Sequence, residues 1–161
     1  MRAARAGDLP AVLEILAERK LAPNGVERQF GSRFVVAEAA SEVIAVAGVE
    51  VYGGDGLFRS AAVRIPWEGR GVGAAVTRNR LDWAREQGLR ALYLLTETAA
   101  AYWPRFGFVV IPRDAAPAAI AASPEWAGGC PSSAVAMRLA LEPRAHDDES
   151  PGGRSRERPA P

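Results

Sequence analysis

The sequence predicts a mixed α/β (α+β) domain built on a single central sheet flanked by helices, and three features point to it. Residues 33–65 hold three runs rich in β-branched side chains, separated by short turn segments, as in an antiparallel meander. Two stretches, 9–20 and 71–87, carry apolar residues at helical spacing. After the second stretch, apolar runs alternate with a helix-like segment up to residue 141.

Asp8 precedes LPAVLEILAERK (9–20), in which Leu9, Val12, Leu13, Ile15 and Leu16 form an apolar stripe behind a capping residue and Pro10 sits in the first turn. Pro23-Asn24-Gly25 breaks the chain before a short segment at 26–30. RFVVAEA (33–39), EVIAVAGVEVY (42–52) and LFRSAAVRI (57–65) make the meander, with GGDG (53–56) as a hairpin turn. From Gly71 to Gln87 there is no proline; Val72, Ala75, Val76 and Trp83 favour one face, and Gly88 ends the helix. ALYLLT (91–96) reads as a buried strand, TAAAYWPRF (98–106) as a shorter helix and GFVVI (107–111) as another strand. Residues 112–132 form a long connection with a turn or two of helix after Asp114, and SAVAMRLAL (133–141) is the last strand. The expected organisation is one domain over 1–141 and a Pro-, Gly- and charge-rich disordered tail over 142–161.

A chain of 161 residues builds one core. With 20 basic and 19 acidic residues it carries no global charge excess to draw it to nucleic acid or an anionic membrane. No apolar run approaches the ~18 residues needed to span a bilayer, and the opening is not signal-like, so the chain reads as soluble and cytoplasmic. Cys130 is the single cysteine, which excludes an internal disulfide and a zinc site of paired thiolates, and no metal is expected. The one histidine, His146, lies in the tail, so histidine-based catalysis is not expected.

The stretch VRIPWEGRGVGAAV (63–76) places Gly69, Gly71 and Gly73 between a strand and a helix N-terminus. Unpaired amides of a first helical turn favour an anion there, and glycine lets a phosphate approach the backbone. A flexible turn with a helix cap is the competing reading. Gly69, Gly71 and Ala74 also fit the dinucleotide pattern G-x-G-x-x-G/A. The context argues against it: Pro66-Trp67-Glu68 separates strand from glycine, the strand ends a meander, and no acidic residue stands at the end of a second strand at the required spacing.

The wider pattern resembles the GNAT superfamily of acetyl-CoA-dependent N-acetyltransferases. EGRGVG matches that family's Q/R-x-x-G-x-G/A at Gly71 and Gly73, with Glu68 where Gln or Arg is usual, and AAAYWPRFGFV resembles its A-x-x-F-Y-x-x-L-G-F. The resemblance covers about residues 2 to 141. It implies a sheet whose strands ALYLLT and SAAV splay apart, a pyrophosphate cradle at Gly69, Arg70, Gly71, Val72, Gly73 and Ala74, and pantetheine contacts at Ala61, Ala62 and Val63. Acetyl-CoA is then the cosubstrate, and an amine attacks its thioester directly. Longer runs, among them LYLLTETAAAYWPRFGF and IPRDAAPAAIAASPEW, look like the arsenic-resistance-associated N-acetyltransferases, whose relatives acetylate phosphinothricin or its arsenic analogue. The implied acceptor is a small amino acid or amino-acid-like compound. Family habit suggests a homodimer.

Where the family commonly has its tyrosine acid this chain has Trp103, so Tyr102 or Tyr93 stands in, or water protonates the thiolate. Glu50, which shares its expected strand face with Ile44, Val46 and Tyr52, is the candidate base if the strand end opens into a pocket; a solvated strand-end glutamate is the competing reading. Glu97 is the second candidate. Arg59 and Ser60 could hold an anionic group of the substrate or merely pair across strands, and Arg105 and Arg113 are further partners for a carboxylate. Cys130 reads as a small buried hydrophobe. The alternatives of other classes are a catalytically silent acyl-CoA sensor and a Rossmann-type oxidoreductase.

Overall fold

Side-chain alternation along the meander dictates a sheet covered on both faces, and the computed structural model, which describes residues 1–142, shows how each face is covered. In β2 (Phe34–Ala39), Val35 joins the cluster under one helix and Val36 the cluster under the other. Helix α1 (Leu9–Glu18) buries Val12, Ile15 and Leu16 against Val36, Val46 and Ala62. Helix α2 (Val72–Glu86) buries Val76, Leu81 and Ala84 against Val35, Ala45, Ala47 and Val49. Full burial of such side chains contributes roughly 1.5–3 kcal/mol each, which far exceeds the intrinsic helix propensity of these segments.

The strands form one seven-stranded sheet in the order β1-β2-β3-β4-β5-β7-β6. Here β1 is Arg2–Ala3, β3 Glu42–Tyr52, β4 Asp55–Val63, β5 Ala91–Thr96, β6 Val109–Ile111 and β7 Val135–Ala140. The meander and the hairpin at Gly53-Gly54 are as expected. Strands β4 and β5 are parallel but pair only through Gly56 with Leu92 and Leu57 with Tyr93, after which they part. The expected splay is therefore present. Helix α2 ends in a Schellman arrangement, with the amide of Gly88 bonded to Arg85 O and that of Leu89 to Ala84 O, and Gly88 at φ +71°.

Several expectations need correction. Arg2–Ala3 adds a short edge strand opposite Val35 and Val36, too short for any periodicity to reveal. The segment after Gly25 is a 3-10 turn, Val26–Arg28. Residues 98–106 are not a regular helix: a turn leads into one 3-10 stretch, Trp103–Phe106, because Pro104 lacks the amide a helix would need. Ile44 does not share a face with Val46. The β2–β3 register shifts beside it, and Ile44 packs on the α2 side while Val46 packs on the α1 side. The long connection holds the expected turn of helix after Asp114, α3 (Ala118–Ala121), and adds a π turn at Glu125–Gly129; its Ile120 and Trp126 form a third core cluster with Leu57, Tyr93 and Ala136. Among the described residues no helix is long and apolar enough to cross a membrane. The tail from 143 onward and His146 lie outside the described residues.

Gly48 sits opposite Phe34, and a Cβ there would lie 2.3 Å from a carbon of the Phe34 ring. That ring is fully buried and packs on Phe30 with centroids 5.1 Å apart, so it has no free space to yield. Gly48→Ala is expected to cost about 1–3 kcal/mol of stability, read as a lower urea midpoint with an unchanged slope.

Candidate functional site

The loop between β4 and α2 supplies a backbone surface. Gly69 (φ +71°) and Gly71 (φ +79°) take left-handed conformations that side chains disfavour, and Gly71 is the N-cap of α2. The first bond within the helix runs from the amide of Ala75 to Gly71 O, leaving the amides of Val72, Gly73 and Ala74 without intrahelical partners. Gly69, Gly71, Val72, Gly73 and Ala74 line a cavity of about 480 Å³, together with Ala61, Ala62 and Val63 of β4. Amides and the positive end of a 15-residue helix thus face one open volume, suited to a phosphate group. Arg70 is not itself part of this lining; its guanidinium lies over the ring of Trp67, which is, at 4.8 Å. Glu68, which stands where the family pattern has Gln or Arg, pairs with Arg19 at 2.5 Å.

A second cavity, of about 410 Å³, adjoins the first, and Ala61 and Trp103 line both. A bulge in β4 marks the junction: Arg59 pairs with Gly48 and Ala62 with Val46, so β4 has one residue more than β3 across this step. Ser60 takes φ +58° there. The second cavity is lined by Arg59, Ser60, Glu97, Glu125 and Cys130, none of which lines the first, whose own ionisable lining is Arg19, Glu68, Tyr102 and Arg105.

Arg59 organises this polar wall. Its Nη1 donates to Asn24 O at 2.6 Å, Nη2 to Ala22 O at 3.1 Å and Nε to Ser60 Oγ at 3.1 Å. Two carboxylates flank it: Glu50 Oε1 is 3.4 Å from Nη1 and Glu125 Oε2 is 3.3 Å from Nε. Among the described residues Glu50 Oε2 and Glu125 Oε2 are buried with no hydrogen bond, although Glu125 Oε2 keeps its ion-pair contact with Arg59 Nε. Burial pushes the Glu125 carboxyl up to about 7 despite the nearby Arg59 guanidinium, and burial raises Glu50 against the same opposing charge. The Cys130 thiol, whose Sγ donates to Glu125 Oε1 at 3.7 Å, is pushed up to about 12 by burial and is therefore a poor nucleophile.

Arg59, Ser60 and Glu97 are brought together in the second cavity, and Tyr102 lines the first beside Trp103 and Arg105. Glu50 lines neither. The strand end does not open into a pocket; Glu50 is fully buried, accepting from Tyr52 Oη at 3.1 Å and pairing with Arg59. Tyr93 is also off both cavities, in the core edge-on to Trp126, where its hydroxyl accepts from Arg138 Nε. Arg113 is spent on the carbonyls of Pro131 and Trp126, so of the three arginines considered for a carboxylate only Arg59 lines the second cavity. Glu125 was missed by sequence reasoning. The available signal was Arg59 itself, a cation inside a buried strand, which demands a counter-charge from somewhere in the chain.

The antiparallel strand before the glycine loop rules out a Rossmann unit, whose loop follows the first strand of a parallel sheet. Among solved structures, the fold is shared with N-acetylglutamate synthase from Neisseria gonorrhoeae complexed with coenzyme A and N-acetyl-glutamate, at TM-score 0.75 and 19% identity over 88% of this chain. This chain spans only 34% of that protein's length. Rv2747 from Mycobacterium tuberculosis, in complex with CoA and NLQ, gives TM-score 0.71 and 22% identity, with 88% of this chain and 98% of that one covered. The ribosomal-protein-S18-alanine N-acetyltransferase from Escherichia coli gives 0.64 and 18%, covering 90% and 95%. No curated protein matches the chain by sequence. The family model for the acetyltransferase (GNAT) domain matches residues 30–110, about half of the chain and the part that carries the meander, the glycine loop and α2, and the chain belongs to the GNAT acetyltransferase family.

Proposed function

We propose that the chain transfers the acetyl group of acetyl-CoA to the amine of a small amino acid or amino-acid-like compound. One observation carries this reading: two cavities meet at Ala61 and Trp103, one walled by the glycine loop and the first amides of α2, the other by Arg59, Glu97 and Glu125. The first suits the pyrophosphate and pantetheine of the donor. The second suits an amine that carries its own polar groups.

In the reaction the neutral amine nitrogen bonds to the thioester carbonyl carbon, the C–S bond breaks, the nitrogen gives up one proton to water and the thiolate takes one, so no net proton is consumed. Holding both partners across one junction removes the entropic cost of their encounter. Tyr102 is the proposed donor to the thiolate. It lines the donor cavity, and the Arg105 guanidinium, 4.1 Å from its ring centroid, fixes the ring. Trp103, at the junction, offers only an indole N–H, which cannot serve as an acid. The carboxylate of the acceptor would be drawn to Lys20 and Arg59, the cations that line this cavity beside Ser60. Within the family we place the chain with the arsenic-resistance-associated acetyltransferases, phosphinothricin or its arsenic analogue being the acceptor type, on the strength of runs such as LYLLTETAAAYWPRFGF.

Free-thiol release from acetyl-CoA across amino acids, phosphinothricin, polyamines and peptides tests the reading. Turnover confined to small amino acids and phosphinothricin is the expected result. Acetyl-CoA binding without thiol release for any amine would establish the sensor instead. Gly71→Val is expected to weaken acetyl-CoA binding at least about tenfold, or ~1.4 kcal/mol, because a β-branched residue at φ +79° must abandon that conformation or fill the cradle. Unchanged affinity by calorimetry would remove the donor assignment from this loop.

A further inference from the structure

We propose that Glu125 is the catalytic residue of the acceptor cavity, holding the substrate's ammonium group and taking its proton so that the free amine can attack. The inference rests on the acetyltransferase reading above and adds to it a base that the family motifs do not contain.

Three observations converge on Glu125. It lines the acceptor cavity while being only 7% exposed, and its Oε2 has no hydrogen-bond partner. That oxygen is met only by Arg59 Nε, at 3.3 Å and without hydrogen-bond geometry, and a buried carboxylate so thinly matched in a cavity wall is costly unless a ligand adds to it. The charge around Arg59 is also unbalanced: this one guanidinium stands between two carboxylates, Glu50 and Glu125, while the other cations of the cavity wall, Arg19 and Lys20, form no ion pair with either, Arg19 being paired with Glu68. An ammonium group restores neutrality at the one carboxylate of the pair that the cavity reaches. Finally, the side chain is held in place. The π turn closes through Cys130 N to Glu125 O at 3.1 Å, Ser123 Oγ accepts from the amide of Trp126, and Trp126 packs edge-on to Tyr93.

The other charged and titratable groups nearby do not replace it. Glu50 lies off the cavity with Tyr52 on its Oε1, Glu97 is exposed, the Cys130 thiol is itself a donor to Glu125, and Arg113 binds the carbonyls of Trp126 and Cys130. The step balances simply. The ammonium N–H bond breaks with its electron pair kept on nitrogen, an O–H bond forms on Glu125, and that proton leaves to water when the product departs. A carboxyl that changes state near neutral pH can both accept and release the proton.

The test compares wild type with Glu125→Gln, reading kcat/KM for L-glutamate, phosphinothricin and ethanolamine from pH 5.5 to 9, with acetyl-CoA affinity and urea midpoints measured in parallel. Wild-type kcat/KM is expected to fall below pH about 7, the range to which burial moves this carboxyl. Glu125→Gln is expected to lose about a hundredfold or more in rate, to lose that acid limb, and to bind acetyl-CoA as wild type does. The variant should also fold. The folded-state carboxyl sits near 7 against an ordinary 4.5, so wild-type stability falls as pH rises from about 4.5 to about 7. The glutamine variant lacks that fall and should have the higher urea midpoint at pH 8. A variant that keeps both the rate and the acid limb overturns the inference while leaving the acetyltransferase reading intact. Absence of thiol release from wild type with every amine overturns both.

Discussion

The parting of β4 and β5 after two residue pairs is the constraint on which the rest of the molecule depends. Two parallel strands that continued to pair would seal the middle of the sheet. Instead, the edge of β4 beyond Leu57 faces no neighbouring strand, and its polar backbone is left for something other than a sheet to satisfy. Apolar side chains fill the floor of the gap: Phe58 meets Trp103 at 5.3 Å and Phe108 at 6.1 Å, with the rings tilted or edge-on. Trp103 is thus a spacer in the wedge, which explains a large aromatic there independently of any acid–base role.

Arg59 does for the polar side what that aromatic cluster does for the apolar side. A fully buried guanidinium is tolerated only when its donors are matched, and here they reach carbonyls of the α1–β2 connection, the hydroxyl of Ser60 and two carboxylates from separate parts of the chain. The strand, the early loop and the π turn are tied to one side chain. Such a hub is a specificity device as much as a source of stability, since replacing it with apolar groups would leave both Glu50 and Glu125 without their counter-ion.

Local signals were sufficient for the elements that local chemistry determines. The β-branched runs, the two-glycine hairpin, the helix behind Gly71 and its stop at Gly88 were all legible, because each depends on residues a few positions apart. The splay was legible only through family resemblance. What escaped was set by contacts distant in sequence or by register. Glu125 acquires its meaning from Arg59, far earlier in the chain, and nothing around the SPEW run announces that partner. Ile44 changed faces through a bulge that no alternation count detects. Glu50 was rightly seen as an odd carboxylate on an apolar face, but the explanation was an internal ion pair rather than an opening to the cavity.

The bulge at Ser60 also divides the labour of a single strand. Phe58, Arg59 and Ser60 line only the second cavity, Ala62 and Val63 only the first, and Ala61 belongs to both. One inserted residue therefore gives β4 two separately adjustable halves. On the proposed assignment, changes before the bulge would retune which amine is admitted while the donor grip after it stays as it is, a modular arrangement in which a common acyl donor can be matched to many acceptors.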